Sequence, residues 1–352
     1  MTNVTLVGPP ESNGGVGQYT SDFADAMDGD VCVRRFDVGM KPISHIRLAI
    51  QAAWDDTDAV HIQFVYSFLG PAGAFSVLFF PLLYLFTRIR SKRLVLTLHE
   101  VWDESDTDSL PKRLYAGFVH TMLSVCSDSV TFLSENGEDW FHRNGWVGET
   151  HVVPHGVNTN ATREIENARD WFGFDAEDLV ISQHGYVNPR KGIETFFEIA
   201  EELPEYEFLL AGGPRTEEHE EYFEELCASA PENVTITGVL DEEEFHAAFN
   251  ATDLVVLPYE NINQSGIFNW CVAYEVPTIA SEIPYFETTR KRWGCPETFP
   301  RECTGEAVDL VEQLSLSGSK RSQLVASMAR YRAENSMGGV FKWFQERMYC
   351  QR

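Results

Sequence analysis

Residues 184–192, His-Gly-Tyr-Val-Asn-Pro-Arg-Lys-Gly, decide the fold of this chain. They follow an apolar run at 179–181 that predicts a buried parallel strand, and they precede a segment at 193–203 whose apolar spacing predicts a helix. A loop between such a strand and helix lies at the carboxyl edge of a parallel sheet, where ligands bind in open α/β folds. We therefore expect an α/β fold with a candidate site in this loop.

Two adjacent cations, Arg190 and Lys191, stand in the loop. A guanidinium forks onto phosphate oxygens, an ammonium adds a point charge, and the N-terminus of the next helix adds a partial positive charge. The pair therefore suits a diphosphate. The alternative is a Lys-Gly helix start with a solvated arginine beside it.

The composition excludes some classes of protein. The 352 residues include 54 acidic and 27 basic side chains, a net charge of -27, so the basic face that a nucleic acid requires is missing. Hydrophobic residues make up 43% and aromatic residues 12% of the chain, which is typical of a folded protein, and the length favours two domains. No nucleic-acid partner is expected.

The acidic excess also bears on the environment of the protein. Only 7 of the 27 basic residues are lysine. Dissolved ions screen repulsion between carboxylates, so the composition favours a salt-rich cytosol over ordinary acidity. The N-terminus lacks the regions of a signal peptide, and the seven cysteines show no Cys-x-x-Cys or metal-binding spacing. We therefore expect a cytoplasmic protein.

A glycine-rich stretch precedes the first predicted helix. A strand at 4–7 is followed by Gly14-Gly15-Val16-Gly17 and a helix expected at 18–27, so bare amides can approach a phosphate or a sugar. A dinucleotide-binding loop is the rival interpretation because Asp37 stands where a ribose-binding acid belongs, but the glycine spacing does not fit it. A plain turn is the second alternative.

Polar side chains end two later strands of the same half. Gln63 ends one strand, while His99 and Glu100 follow another, which places all three at the carboxyl edge of the sheet. For His99, a catalytic or phosphate-contacting role competes with that of a structural histidine. Strands alternate with helical patterns, which predicts a doubly wound parallel sheet. The strands are expected at 4–7, 31–36, 59–63, 94–98, 129–132 and 151–153.

A second series of strands and helices follows a polar linker at 159–167. Gly213 follows its second strand and Val239 its third, so small residues and backbone can come close to a ligand. The two halves are therefore expected to be similar folds. The strands of this half are expected at 179–183, 207–211, 234–237, 254–257 and 278–280.

Seven motifs occur along the two halves: Gly14-Gly-Val-Gly, His61-Ile-Gln, Thr97-Leu-His-Glu, residues 185–192, Ala211-Gly-Gly-Pro, Thr237-Gly-Val-Leu and residues 253–281. In this order they resemble the motifs of the family 4 retaining glycosyltransferases, and the chain resembles a haloarchaeal type of member. The resemblance implies the GT-B fold, two facing Rossmann-like domains with doubly wound parallel sheets. It implies an acceptor-binding domain of residues 1–157 with a returning C-terminal helix at 336–352, and a donor-binding domain of residues 158–335.

The resemblance also implies roles for single residues. Arg190 and Lys191 would hold the diphosphate of a nucleotide-sugar donor, Gly15 and Val16 would touch its phosphates from the opposite domain, and Val239 would line the base slot. Together with the residues placed at the strand ends, the candidate catalytic set is His99, Arg190 and Lys191, with Gln63 and Glu100 on the acceptor side. The candidate donor-binding set is Gly14, Gly15, Val16, Gly185, Gly213, Val239, Glu260, Gln264, Ser265 and Gly266.

The chain departs from the family where two glutamates usually stand eight positions apart. Ile262 and Trp270 occupy those positions. Gln264-Ser-Gly resembles a known variant of this segment, and Glu260 either supplies a carboxylate or is a solvated loop acid. Glu275 stands where the family usually has glycine.

The activity implied by the resemblance is transfer of a hexose-type sugar to an acceptor hydroxyl, with retention through front-face attack. No Asp-x-Asp is present, so no metal and no other cofactor is expected, and the cations would stabilise the leaving diphosphate. The rivals are another GT-B enzyme, such as an epimerase or a polysaccharide synthase, and a non-catalytic partner that binds a nucleotide sugar.

An apolar segment at 75–86 ends in the cations Arg88, Arg90, Lys92 and Arg93. It is too short to span a bilayer, which takes about 20 residues, but it can lie on one. That interpretation predicts peripheral attachment through 75–93 to the inner face of the cell membrane. The acceptor would then be a polyprenyl-phosphate-linked glycan in surface-glycan assembly or protein glycosylation. The alternative is a helix buried against the sheet, which leaves a soluble acceptor open.

Overall fold

The structure, a computed structural model, describes residues 3–27, 31–37, 41–102, 106–143 and 148–349. The chain divides into two compact units. Unit 1 comprises residues 1–156 and 335–352, and unit 2 comprises residues 157–334. Residues 350–352 of the predicted C-terminal segment lie outside the described part.

Unit 1 is built on a six-stranded parallel sheet. Its strands are β1 (Val4–Gly8), β2 (Val31–Arg35), β3 (Ala59–Phe64), β4 (Arg93–Leu98), β5 (Ser129–Phe132) and β6 (Thr150–Val152). The helices that alternate with them are α1 (Gly15–Asp25), α2 (Pro42–Trp54), α3 (Ser76–Ile89), α4 (Leu110–Val125) and α5 (Glu135–Arg143). The strand order β2-β1-β3-β4-β5-β6 changes direction between β1 and β3, which is where ligands bind in open sheets.

Helix α1 starts earlier than the sequence predicts. The stretch Gly15-Val16-Gly17 forms its first turn instead of a loop. The preceding segment packs against this turn so closely that a Cβ on Gly17 would lie 2.1 Å from the carbonyl oxygen of Pro10. The glycines therefore let the helix begin directly beside the end of β1.

Unit 2 repeats the architecture with another strand order. Its strands are β7 (Val180–His184), β8 (Glu207–Ala211), β9 (Val234–Ile236), β10 (Leu254–Leu257), β11 (Thr278–Ser281) and β12 (Glu297–Phe299), of which β12 was not predicted. Its helices are α6 (Ile193–Glu202), α7 (Glu220–Ser229), α8 (Glu242–Ala251), α9 (Gly266–Tyr274), α10 (Pro284–Trp293), α11 (Thr304–Leu316) and α12 (Gly318–Glu334). The order β12-β11-β10-β7-β8-β9 puts the change of direction between β7 and β10.

The last helix, α13 (Met337–Phe344), belongs to unit 1 and continues into a π-helical turn at Gln345–Tyr349. Val340, Phe344 and Met348 are buried in the same core cluster as Leu6 and Phe23. The C-terminal segment therefore forms part of the hydrophobic core that includes residues of β1, β3 and β4.

The segment at 75–93 divides between core and surface. Phe79, Phe80 and Leu83 have no exposed surface and pack in the unit 1 core, whereas other apolar side chains of α3 are exposed. Lys92 is buried and bonds to the main-chain oxygen of Asp55, and Arg88 forms an ion pair with Asp128. The prediction of a lipid-facing helix is therefore wrong for Phe79, Phe80 and Leu83, because the face of α3 that carries them covers the sheet. The prediction of available cations is wrong for Arg88 and Lys92, because both are bound to partners in unit 1. No helix in the described ranges is long and apolar enough to cross a bilayer.

Candidate functional site

The loop after β7 is held against the segment after β10. Asn188 accepts a hydrogen bond from the Arg190 amide at 3.1 Å and starts a short 3-10 turn at Pro189–Lys191. Gly192 has a φ of +61°, and a Cβ there would lie 1.9 Å from the carbonyl oxygen of Pro258. Only glycine fits this close approach, so the loop lies directly at the change of strand order in unit 2.

The side chain of Lys191 lies over an aromatic ring. Its Nζ is 3.8 Å from the ring centroid of Tyr259, a residue with no exposed surface. Burial lowers the pKa of Lys191 to about 7. Within the described residues no carboxylate forms an ion pair with this ammonium group. A cation held by an aromatic face and without an anionic partner is suited to bind an anion.

The loops after β8 and β9 complete this edge of unit 2. The Gly185 amide donates to the Ala211 carbonyl at 3.0 Å, and the Val187 amide donates to the Gly213 carbonyl at 2.9 Å. A Cβ on Gly213 would lie 2.5 Å from the amide nitrogen of Val239, so these backbones are in contact. The structure therefore brings Gly185, Gly213 and Val239 together, with the Val239 side chain exposed.

The segment at 260–266 offers fewer free groups than its sequence implies. Ser265 is buried, and its hydroxyl caps α9 by accepting from the Phe268 amide at 3.0 Å, with Gly266 as the first helical residue. Glu260 is exposed, and its amide donates to the Arg190 carbonyl at 3.0 Å. The buried Oε1 atom of Gln264 has no hydrogen-bond partner among the described residues, which leaves it able to bind a ligand donor.

Apolar packing fills the positions of the missing glutamates. Ile262 and Trp270 both pack on the unit 2 core, and the Trp270 ring lies 5.3 Å from that of Phe245. Glu275 has a φ of +59° and pairs with Arg332 at 2.6 Å. The residue at position 275 ends α9 in the left-handed region, a conformation that glycine adopts without strain. This explains why glycine is the usual residue there.

The start of α1 is the candidate anion-binding element of unit 1. Gly14 has a φ of +74°, and no side chain of the described segments caps the helix. A Cβ on Gly15 would meet no atom within 4 Å, so the backbone of Gly15 is approachable. First-turn amides have no acceptor inside the helix, and they favour an anion.

His99 lies at the end of β4 in a buried polar network. Its Nε2 is 2.7 Å from Oε1 of Gln63, and its ring lies 4.9 Å from that of Tyr19. Burial, with lesser contributions from His155 and His61, holds the pKa of His99 well below its ordinary value of 6.5. Gln63 has no exposed surface, so it can act on a ligand only through His99. Glu100, which follows His99 in the chain, is exposed.

Four aromatic or imidazole side chains at these edges were not identified from the sequence. A signal was available for Tyr259 and His155, because each stands two residues after a predicted strand, at 254–257 and at 151–153. Tyr19 and Tyr349 gave no such signal, since only folding brings them near His99 and His61. In the ranges that the structure covers, no three His, Cys, Asp or Glu side chains are grouped as metal ligands would be.

Residues 179–311 match the family model described as Glycosyl transferases group 1. An alpha-galactosylglucosyldiacylglycerol synthase of Streptococcus pneumoniae is 30% identical over 102 residues, which are 28% of this chain and 27% of the relative. A GDP-mannose:glycolipid 4-beta-D-mannosyltransferase of Xanthomonas campestris is 24% identical over 118 residues, 32% of this chain and 34% of the relative. The matched segments thus span only about a third or less of these relatives.

The fold is similar to solved structures over nearly the whole chain. The structure of HepE from Anabaena in complex with UDP-glucose has a TM-score of 0.75 at 13% identity, covering 98% of this chain and 99% of that one. Sucrose-phosphate synthase from Thermosynechococcus elongatus has a TM-score of 0.71 at 16% identity, covering 98% of both chains. Two parallel six-stranded sheets with flanking helices make this the GT-B fold, as predicted.

Proposed function

We propose that the protein transfers a hexose-type sugar from a nucleotide-sugar donor to an acceptor hydroxyl. The observation that carries the proposal is the ammonium group of Lys191 over Tyr259, without an ion-pair partner among the described residues, at the change of strand order in unit 2. When the bond to the sugar breaks, the nucleoside diphosphate leaves as an anion. Arg190 and Lys191 lower the barrier by stabilising that developing charge.

The other predicted residues take supporting roles in this proposal. The backbone at Gly185, Gly213 and Val239 forms the surface on which the nucleotide lies, and Gln264 offers its free Oε1 to a sugar hydroxyl. The first-turn amides of Gly15 and Val16 bind phosphate, and Glu260 acts only as a solvated loop acid because it is exposed. Retention by front-face attack is proposed, since neither Ile262 nor Trp270 can act as a carboxylate nucleophile.

A transfer assay tests the role of Lys191. Purified protein is incubated with radiolabelled nucleotide sugars and a lipid-phosphate extract, and the anomeric configuration of any product is read by NMR. Lys191→Met keeps the alkyl stem over Tyr259 but removes the charge, so we expect a loss of about 1.5 to 3 kcal/mol of transition-state stabilisation, an order of magnitude or more in rate. Lys291→Ala, an exposed lysine of α10, is the matched control.

The outcomes separate the proposal from its rivals. Labelled lipid supports transfer, epimerised free donor indicates an epimerase, a growing polymer indicates a polysaccharide synthase, and no turnover with bound donor indicates a non-catalytic partner. Full activity of Lys191→Met would remove the diphosphate assignment.

A chelator tests whether the cations suffice for the leaving group. Because Arg190 and Lys191 are proposed to neutralise the diphosphate, transfer should survive an excess of EDTA. Loss of activity with EDTA and recovery with Mg²⁺ or Mn²⁺ would show that a divalent ion shares this role.

The acceptor is proposed to be a polyprenyl-phosphate-linked glycan at the inner face of the cell membrane, which the protein meets through unit 1. Helices α2, α3 and α4, of 13, 14 and 16 residues, contain no Asp or Glu, although 54 of the 352 residues in the chain are acidic. Helix α2 packs against α3, and α3 against α4, so the three form one continuous surface. We call it the acid-free face.

The acid-free face is also rich in exposed apolar side chains. Each of them has at least 40% of its surface exposed: Ile43, Ile50 and Trp54 on α2, Val77, Leu78, Leu85 and Ile89 on α3, and Leu110, Leu114, Phe118 and Val125 on α4. Exposed cations on or beside the helices include Arg47, Arg90, Lys112 and Arg113, of which Lys112 pairs with Asp108 at 3.0 Å. Apolar stripes flanked by cations suit the surface of an anionic bilayer, whereas the acidic remainder of the chain would be repelled from it.

Flotation with anionic liposomes tests this part of the proposal. The variant Leu85→Ser, Ile89→Ser, Leu114→Ser, Phe118→Ser changes only exposed positions and leaves the core residues Phe79 and Leu83 intact. Wild type should float and the variant should stay at the bottom of the gradient. The control variant Trp171→Ser, Leu316→Ser removes exposed apolar side chains from unit 2 and should float. If wild type does not float, or the first variant floats equally well, the lipid-linked acceptor loses its support.

A further inference from the structure

A buried chain of hydrogen bonds connects the C-terminal turn with His99. The hydroxyl of Tyr349 lies 2.7 Å from Nδ1 of His61, and Nε2 of His61 lies 3.3 Å from Nε2 of Gln63. Oε1 of Gln63 in turn lies 2.7 Å from Nε2 of His99. All four side chains are at most 5% exposed, so no bulk water substitutes for a missing member.

The orientation of the Gln63 side-chain amide determines which ring nitrogen of His99 carries the hydrogen. An amide oxygen only accepts, so with this oxygen facing His99 the Nε2 atom of His99 must donate. A neutral imidazole has one hydrogen, which leaves Nδ1 of His99 with a bare lone pair. This Nδ1 atom is buried and has no hydrogen-bond partner among the described residues. It is therefore able to accept a hydrogen bond from a ligand hydroxyl.

The hydrogen positions of His61 and of its contact with Tyr349 follow in the same way. The amide nitrogen of Gln63 donates to Nε2 of His61, so the hydrogen of His61 is on Nδ1 and is donated to the oxygen of Tyr349. If the Gln63 amide were turned over, every bond in the chain would reverse and Nδ1 of His99 would become a donor. Thr97, whose hydroxyl lies 2.7 Å from Nε2 of His61, can donate or accept and fits both directions.

We propose that Tyr349 is a positioning residue, whose hydroxyl accepts from His61 and, through Gln63, keeps His99 in the form with hydrogen on Nε2. The lone pair on Nδ1 of His99 then binds a substrate hydroxyl, a step that rests on the proposed transfer function. Without the Tyr349 hydroxyl, the Nδ1 hydrogen of His61 has no acceptor in a dry core, which is costly. The chain then reverses and His99 presents a donor where the substrate needs an acceptor.

The tautomer of His99 can be measured without any turnover. In protein labelled with ¹⁵N-histidine, NMR should show His99 with hydrogen on Nε2 in wild type, and on Nδ1 or in a mixture in Tyr349→Phe. The matched control is Tyr66→Phe, which removes a buried hydroxyl that lies 2.8 Å from Nε2 of His120 in the same unit. The control should leave the His99 signals unchanged.

Kinetics supply the second readout. We expect kcat of Tyr349→Phe to fall about five- to tenfold with little change in the donor KM, while Tyr66→Phe keeps its rate. If Tyr349→Phe does not fold, Gln63→Leu interrupts the chain in its middle and should alter the His99 tautomer in the same way. A wild-type His99 with hydrogen on Nδ1, or an unchanged tautomer in either variant, overturns the proposal. A changed tautomer in a protein that shows no transfer would instead leave the positioning chain in place and refute the proposed function.

Discussion

The two units share an architecture but differ in what their surfaces and interiors hold. Unit 1 has 20 acidic and 14 basic residues, a net charge of -6, whereas unit 2 has 34 and 13, a net charge of -21. Burial lowers the pKa values of four histidines in unit 1 and of two among the described residues of unit 2. The net charge is thus concentrated on unit 2, whereas unit 1 has more histidines with lowered pKa values, so the two units should lose stability under different conditions.

Acid should destabilise unit 1 first. Burial lowers the pKa values of His61 to about 3 and of His120 and His155 to about 4, and it holds that of His99 well below 6.5. Below pH 6.5 the unfolded chain therefore binds more protons than the folded one, and stability falls as the pH falls toward 4. Each histidine contributes up to about 1.4 kcal/mol per pH unit, several kcal/mol together.

Amide hydrogen exchange at pH 7 and pH 5 measures this loss of stability separately for peptides of each unit. Among the described residues unit 2 has two such histidines, His184 and His246. Peptides of unit 1 should lose protection at pH 5 while those of unit 2 keep most of theirs. Equal loss in both units would contradict the comparison.

Removal of salt should destabilise unit 2 before unit 1. Carboxylates repel one another over roughly 30 Å at 0.01 M salt but only about 3 Å at 1 M, so unit 2 with its larger net charge should loosen as salt is removed. Exchange at pH 7 should increase mainly in unit 2 peptides between these two conditions. An unchanged melting temperature and exchange pattern would refute adaptation to high salt.

Donor binding should weaken as the pH rises through 7. The pKa of Lys191 in the free protein is about 7, so above that value binding of the anionic donor requires uptake of a proton. The dissociation constant of the nucleotide sugar, measured by calorimetry, should rise by up to about tenfold per pH unit above 7. Arg190 stays charged throughout and contributes no such dependence. Lys191→Met should bind weakly and with a flat pH profile, and a flat wild-type profile would argue against the anion site.

The smallest effect is expected at the end of α9 in unit 2. Glu275→Gly relieves a left-handed conformation that costs about 1 to 2 kcal/mol, but it loses an ion pair with Arg332 that is worth at most about 1 kcal/mol. The melting temperature should stay the same or rise by a few degrees. Arg332→Ala removes only the ion pair and serves as the control. A clear drop for Glu275→Gly would show that the ion pair outweighs the strain.

The sequence by itself determined the fold class, because apolar runs, glycine positions and the alternation of strands and helices are local patterns. It also located the loop with Arg190 and Lys191, since a strand followed by a helix must place its loop at the carboxyl edge. Strand limits were predicted within a residue or two. Among the described strands only the edge strand β12 was missed, because its three residues lie between Pro296 and Pro300 and contain no apolar run.

Only the tertiary structure decided which partners those residues meet. Lys191 and Tyr259 are 68 positions apart, and His61 and Tyr349 are 288 apart, so no spacing rule links them. The segment at 75–93 shows the same limit, because its apolar residues are alike in sequence and only the packing of α3 on the sheet separates Phe79 and Leu83 from Leu85 and Ile89. Sequence patterns report the preferences of each segment, whereas burial and hydrogen-bond partners are set by segments that are distant along the chain.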